Sequence, residues 1–196
     1  MKLILHIGSE KTGTSSIQGS LAKLREELAE HSIFYPRAFG YKSHIGLINS
    51  FQKLSCIDEV RRMQGLHNKA QMLFYKKTVW SNFLQELEGA RPELVVLSNE
   101  HLSSRLNTYE EISELAGFLK PLFAEIKIVF YVRKQDDLLI SQHKSEIFFG
   151  NKHKDFSVPV EDAIPHSYNF KKIVGLWCSC FGQDSLKLVD YHKVKG

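Results

Sequence analysis

Cysteine is scarce in this 196-residue chain, with three at Cys56, Cys178 and Cys180. So sparse and odd a set builds no disulfide framework. The pair in Cys178-Ser179-Cys180 is too tight for the usual zinc spacing and lacks a second ligand pair, so both read as buried thiols. Nine histidines are scattered, with no H-x-x-x-H pair on a helix, so no metal site is expected. No apolar run is long enough to span a bilayer. The few apolar residues before Gly8 are too short for the core of a signal peptide, so a cytoplasmic protein without a membrane span is expected. No repeat, low-complexity tract or interdomain linker is present, and the length suffices for one domain with a substantial core. The formal charge of +4 is mild. It permits an anionic ligand and does not demand nucleic acid.

What is present is alternation. Leu3-Ile7 is a short apolar run ending at Gly8, which suits a buried strand. Ile17, Leu21, Leu24 and Leu28 then recur at helical spacing and predict an amphipathic helix of about four turns. Ile33-Phe34-Tyr35-Pro36 reads as an edge strand, because proline suits an edge. Residues 37 to 68 read as loop-rich, with a helical piece near Ile45-Phe51. Leu73, Trp80, Phe83, Leu84 and Leu87 mark a long helix ending near Gly89-Ala90-Arg91-Pro92. Strands follow at Leu94-Leu97, Ile126-Val132 and Leu186-Val189. Helices are expected around Ile112, Leu115, Ala116 and Leu119, over Gln135 to Phe149, and over Asn169 to Phe181. Short strands that are apolar on both faces and alternate with helices predict an α/β fold, a parallel β-sheet flanked by helices. In such sheets ligands sit beyond the carboxyl ends of strands. The residues after Ile7, Leu97 and Val132 are therefore where chemistry is expected.

After Ile7 comes Gly8-Ser9-Glu10-Lys11-Thr12-Gly13-Thr14-Ser15-Ser16. A nucleotide-triphosphate loop would read G-x-x-x-x-G-K-[ST]. Gly8 and Gly13 have that spacing, but Thr14 stands in the lysine position and the lysine lies earlier, at Lys11. Glycines let a backbone approach an anion, and a helix N-terminus supplies N–H groups to hold it. A plain strand-to-helix turn with Thr14 or Ser15 as N-cap fits the same residues. After Leu97 comes Ser98-Asn99-Glu100-His101-Leu102, with two capable general bases side by side. After Val132 comes Arg133, with Ser141 about one and a half turns into the next helix. An extended arginine can reach back to share one anion with that serine.

Together these segments resemble the sulfotransferases that use 3′-phosphoadenosine-5′-phosphosulfate (PAPS), nearest in flavour to the bacterial, carbohydrate-type branch. "HIGSEKTGTSSIQ" is similar to that family's 5′-phosphosulfate loop, and "YVRKQDDLLISQ" to its 3′-phosphate motif. The resemblance implies a P-loop-like sulfotransferase fold over residues 1–196, and sulfuryl transfer from PAPS to a hydroxyl or amine. The acceptor would be a small molecule or carbohydrate, and the product adenosine 3′,5′-bisphosphate. It implies that Lys11, Thr12, Gly13, Thr14 and Ser15 hold the 5′-phosphosulfate, that Lys11 also acts in catalysis, and that Arg133 and Ser141 hold the 3′-phosphate. The base is a glutamate in carbohydrate-type members and a histidine in cytosolic ones. Glu100 is favoured here and His101 second, and only one of them is expected to reach the acceptor, because neighbours on an extended segment face opposite ways. The resemblance breaks at Ser16, where cytosolic members place a tryptophan on the adenine. It breaks again after Tyr191, where the family's glycine-rich basic segment has no counterpart and the chain reads as a shortened member. Residues 37 to 68 and 150 to 166 are expected to line the acceptor site, with Arg37, Lys42, His44, Arg61 and Arg62 meeting an anionic saccharide. Two other readings stay open. One is a P-loop-like nucleotide kinase or NTPase, opposed by the missing lysine after Gly13 and by the lack of an aspartate ending the Leu94-Leu97 strand. The other is a non-catalytic PAPS- or nucleotide-binding protein.

Overall fold

The structure is a computed structural model that describes residues 1–148 and 165–194. One parallel sheet contains β1 (Lys2–Gly8), β2 (Ile33–Phe34), β3 (Leu94–Ser98), β4 (Glu125–Val132) and β5 (Leu186–Asp190), in the spatial order β2-β3-β1-β4-β5. Helices α1 (Thr14–Lys23) and α2 (Arg25–Glu30) join β1 to β2. Between β2 and β3 lie α3 (Ile45–Phe51), α4 (Glu59–Met63) and α5 (Lys69–Ala90). Helices α6 (His101–Arg105) and α7 (Tyr109–Leu119) lead into β4. Helices α8 (Gln135–Phe148) and α9 (Phe170–Phe181) precede β5, and α10 (Tyr191–Val194) follows it. The expected α/β architecture is therefore present, with the Ile33-Phe34 strand at an edge. No described helix is long and apolar enough to cross a membrane.

Register decides which face is buried. Leu3 and Leu5 pair with Val95 and Leu97 on one side and with Ile126 and Ile128 on the other. All six are buried, and they join residues of α3, α5, α6, α7 and α9 in one core. The chain moves one way across the sheet from β1 to β2 and the other way thereafter. Right-handed crossovers then place α1 and α2 on the opposite face from the later helices. No residue of α1 or α2 belongs to the core cluster. Two expectations fail for this reason. The strands are not apolar on both faces: Lys2 and Lys127 are exposed on the thinner face, and His6 and Ser98 are buried there near the carboxyl ends. Nor is the first helix a single four-turn element packed through Ile17, Leu21, Leu24 and Leu28. It breaks at Leu24, which is exposed, and α1 buries Thr14, Gln18 and Ala22. In α5, likewise, Leu73 and Leu84 face outward while Met72, Val79, Phe83 and Leu87 are buried.

The loop-rich stretch has an organising cation. Arg61 is fully buried and donates to the carbonyls of Asn49 at 3.1 Å, Gln52 at 2.6 Å and Lys53 at 2.6 Å, and to that of Cys56. These close the end of α3 and the turn beyond it, where helical carbonyls lack internal partners. His44 is also fully buried. It accepts from the Ser98 N–H at Nδ1, so its Nε2 carries the proton and donates to the Pro36 carbonyl. Neither side chain is free to meet an acceptor, which corrects the expectation for this pair. Arg37, Lys42 and Arg62 are exposed. The other proposed acceptor segment, 150 to 166, falls almost wholly outside the described residues, as does Phe149 at the expected end of α8.

Arg61→Ala strands buried carbonyls, each worth about 1–3 kcal/mol. Urea unfolding should show a loss of at least about 3 kcal/mol for Arg61→Ala. The exposed control Arg62→Ala should stay within about 0.5 kcal/mol. Equal small losses would contradict the structural role of Arg61.

Candidate active site

Strand β1 is central, with β3 and β4 as its neighbours, so its carboxyl end is the crevice where connections diverge. The chain leaves it at Gly8, whose φ of 98° suits glycine. An added Cβ there would lie 2.8 Å from both Cα and O of Glu100. The loop thus turns against the backbone that follows β3. Thr12 donates its hydroxyl to the Ser9 carbonyl at 2.6 Å, and both residues are buried. Lys11 and Gly13 adopt left-handed φ values of 60° and 75°. Gly13 is the N-cap of α1 and offers no side-chain cap. The N–H groups of Thr14 and Ser15 have no partner among the described residues. Bare amides at a helix start, preceded by an open glycine and beside a lysine, can hold an anion.

Glu10, Lys11, Gly13, Thr14, Ser15, Glu100 and His101 line one cleft of about 220 Å³. The loop and the two candidate bases are therefore brought together. Thr12 does not line this cleft, and its hydroxyl is committed inside the loop. Glu100 and His101 are not on an extended segment. Glu100 is already helical in conformation and precedes α6, and His101 is the first residue of α6. Their side chains have different partners. Gln18 donates its amide to Glu100 Oε2 at 2.6 Å, while His101 Nδ1 lies 3.0 Å from Glu10 Oε1.

Neither Arg133 nor Ser141 lines this cleft. Arg133 directly follows β4 and donates from Nη1 to the Lys11 carbonyl at 2.8 Å, with its guanidinium 5.1 Å from the Tyr191 ring. Ser141 is on α8, and its carbonyl accepts from the Ser145 hydroxyl. Ser145 is the residue that Lys11 meets, with Nζ donating to its Oγ at 2.7 Å. Sequence reasoning passed over Ser145, although the i, i+4 spacing from Ser141 puts both on one helix face. It also passed over Gln18, which sits among buried positions of α1, and over Glu10.

Burial tunes His6 and His44. His6 meets the Ser98 hydroxyl through Nδ1 at 2.8 Å, and its buried Nε2 has no partner among the described residues. Burial lowers its pKa to about 4 against an opposing pull from Glu100. Burial lowers His44 to about 3, opposed by its hydrogen bond to Pro36 and helped by Arg25. Burial would raise the Glu10 carboxyl, but hydrogen bonds from His101 and Ser104, with the charges of His101 and Arg105, hold it below the usual carboxylate range.

No protein-family model matches the chain, and no curated protein sequence matches it. Solved structures do. One is a sulfotransferase from Alicyclobacillus acidocaldarius, 14% identical, aligned over 97% of this chain and 73% of that chain with a TM-score of 0.55. Another is the sulfotransferase domain from the curacin biosynthetic pathway, also 14% identical, aligned over 99% and 68% with a TM-score of 0.48. The first likeness establishes that the chain shares the P-loop-like fold of a sulfotransferase.

His6 and His44 are neutral when folded, whereas an unfolded histidine takes a proton near 6.5. Their contribution to stability is therefore complete above pH 6.5 and is lost as pH falls towards 4. At pH 5 each ring should cost about 2 kcal/mol, at 1.36 kcal/mol per pH unit. Urea unfolding at pH 7.5 and pH 5 should show a combined loss of about 4 kcal/mol, reduced in His44→Gln. Constant stability over that range would contradict the neutral buried rings.

Proposed function

We propose that the protein transfers a sulfuryl group from PAPS to a hydroxyl or amine of a small-molecule acceptor, with saccharides among the candidates. The observation that carries this reading is the single cleft that joins Lys11 and the bare amides of α1 to Glu100 and His101. PAPS, when bound, supplies an activated sulfuryl group on a phosphate leaving group. The N–H groups of Thr14 and Ser15, the exposed Ser15 hydroxyl and the Lys11 ammonium are the donors for its 5′ end. Thr12 and Gly13 shape the loop that presents them. Arg133, which donates to the Lys11 carbonyl of the loop, and Ser141 on α8 take the 3′-phosphate.

Lys11 holds positive charge where negative charge grows on the departing phosphate oxygen. A preorganised donor of this kind is worth about 10²–10³ in rate. Ser145 positions that ammonium in the resting site. Glu100 or His101 accepts the acceptor's proton. The kinase reading is weaker, because Thr14 replaces its lysine and Ser98-Asn99 replaces its aspartate. Free thiols at Cys56, Cys178 and Cys180 accord with the cytoplasmic location that belongs to the same proposal.

The 3′-phosphate separates the readings without knowledge of the acceptor. Adenosine 3′,5′-bisphosphate should bind more tightly than AMP by about 10–150-fold, the worth of one charge-assisted hydrogen bond. Calorimetry should show Arg133→Ala erasing most of that preference and Ser141→Ala a smaller part. Equal binding of AMP and the bisphosphate, or strongest binding of Mg²⁺-ATP, would overturn the sulfotransferase reading.

A further inference from the structure

Glu10 lies inside the donor loop, one residue before Lys11, yet its bonds go to α6. Its Oε1 meets His101 Nδ1 at 3.0 Å and accepts from the Ser104 hydroxyl at 2.8 Å. The His101 backbone N–H is held in turn by Asn99 Oδ1 at 2.8 Å. An ionised carboxylate only accepts hydrogen bonds, so the proton of this pair sits on Nδ1. In the neutral ring Nε2 is then a bare lone pair. It has no protein partner among the described residues, the side chain is 27% exposed, and the residue lines the cleft. Glu100 is placed differently. One of its oxygens is occupied by the amide of Gln18, which is buried.

We propose that Glu10 is a positioning residue. From within the donor loop it fixes the ring and tautomer of His101, so that Nε2 is the group facing the acceptor. The proposal rests on the sulfuryl-transfer reading and decides between its two candidate bases. Nε2 takes the proton from the acceptor hydroxyl as that oxygen forms its bond to sulfur. The bond from sulfur to the leaving phosphate oxygen breaks, and its electron pair stays on that oxygen, beside Lys11. The imidazolium so formed faces the Glu10 carboxylate, which keeps the local charge balanced. Because Glu10 belongs to the loop that holds the donor, one side chain links the base directly to the donor cradle.

The tautomer can be read without any acceptor. The full chain labelled with ¹⁵N-histidine gives ring ¹⁵N shifts, with the His101 signals identified by their loss in His101→Gln. In its neutral form, the His101 ring should be protonated at Nδ1 and bare at Nε2. In Glu10→Ala the Nδ1–H to Nε2–H ratio should fall about 10-fold or more, the worth of one charge-assisted hydrogen bond. A wild-type ring protonated at Nε2 overturns the proposal, as does an unchanged ratio in Glu10→Ala. If Glu10→Ala does not fold, the wild-type spectrum still decides. Failure of the wild type to bind the bisphosphate would instead sink the sulfuryl-transfer reading and leave the tautomer result standing.

Discussion

A side chain at residue 8 would have nowhere to go. The backbone of Gly8 lies so near that of Glu100 that a methyl group there would overlap Cα and O of its neighbour. This contact brings the loop after β1 and the turn after β3 into one place. Parallel pairing of β1 with β3 sets the two strand ends level, His6 opposite Ser98. The glycine then lets the chains close over them, and the cleft follows from that closure.

Across the cleft, polar pairs tie the loop and its helix to three other segments. Gln18 reaches Glu100, Glu10 reaches His101 and Ser104, Lys11 reaches Ser145, and Arg133 reaches back to the Lys11 carbonyl. Most of these groups are only part-buried, where one hydrogen bond contributes about 0.5–1.5 kcal/mol, rising to 1.5–3 when a charge takes part. Their main effect is therefore geometric. They hold an ammonium, a carboxylate and an imidazole in fixed directions over a rigid sheet, which is the preorganisation that electrostatic catalysis needs.

The strands and most of the helices were legible because apolar spacing reports burial against a core. Ile112, Leu115, Ala116 and Leu119 all face inward as their spacing predicts. The same rule misplaced α1, because its inward face meets the polar end of the sheet and buries Thr14 and Gln18 instead of leucines. Arg61 and His44 look like surface charges in sequence. Burial with backbone partners is a property of the folded loop, and no local pattern announces it. The loop lysine, the Glu100-His101 pair and Arg133 stood out because each follows an apolar strand. Glu10, Gln18 and Ser145 did not, since their importance lies in partners 82 to 134 residues away.

On this reading the turn from β1 into α1 cradles the 5′ end of a 3′-phosphorylated nucleotide. A crystal structure of the protein with adenosine 3′,5′-bisphosphate examines it most directly. The 5′-phosphate is expected on the N–H groups of Thr14 and Ser15, with the 3′-phosphate against Arg133 and Ser141. A nucleotide bound elsewhere, or one whose 3′-phosphate lies away from Arg133, would contradict it.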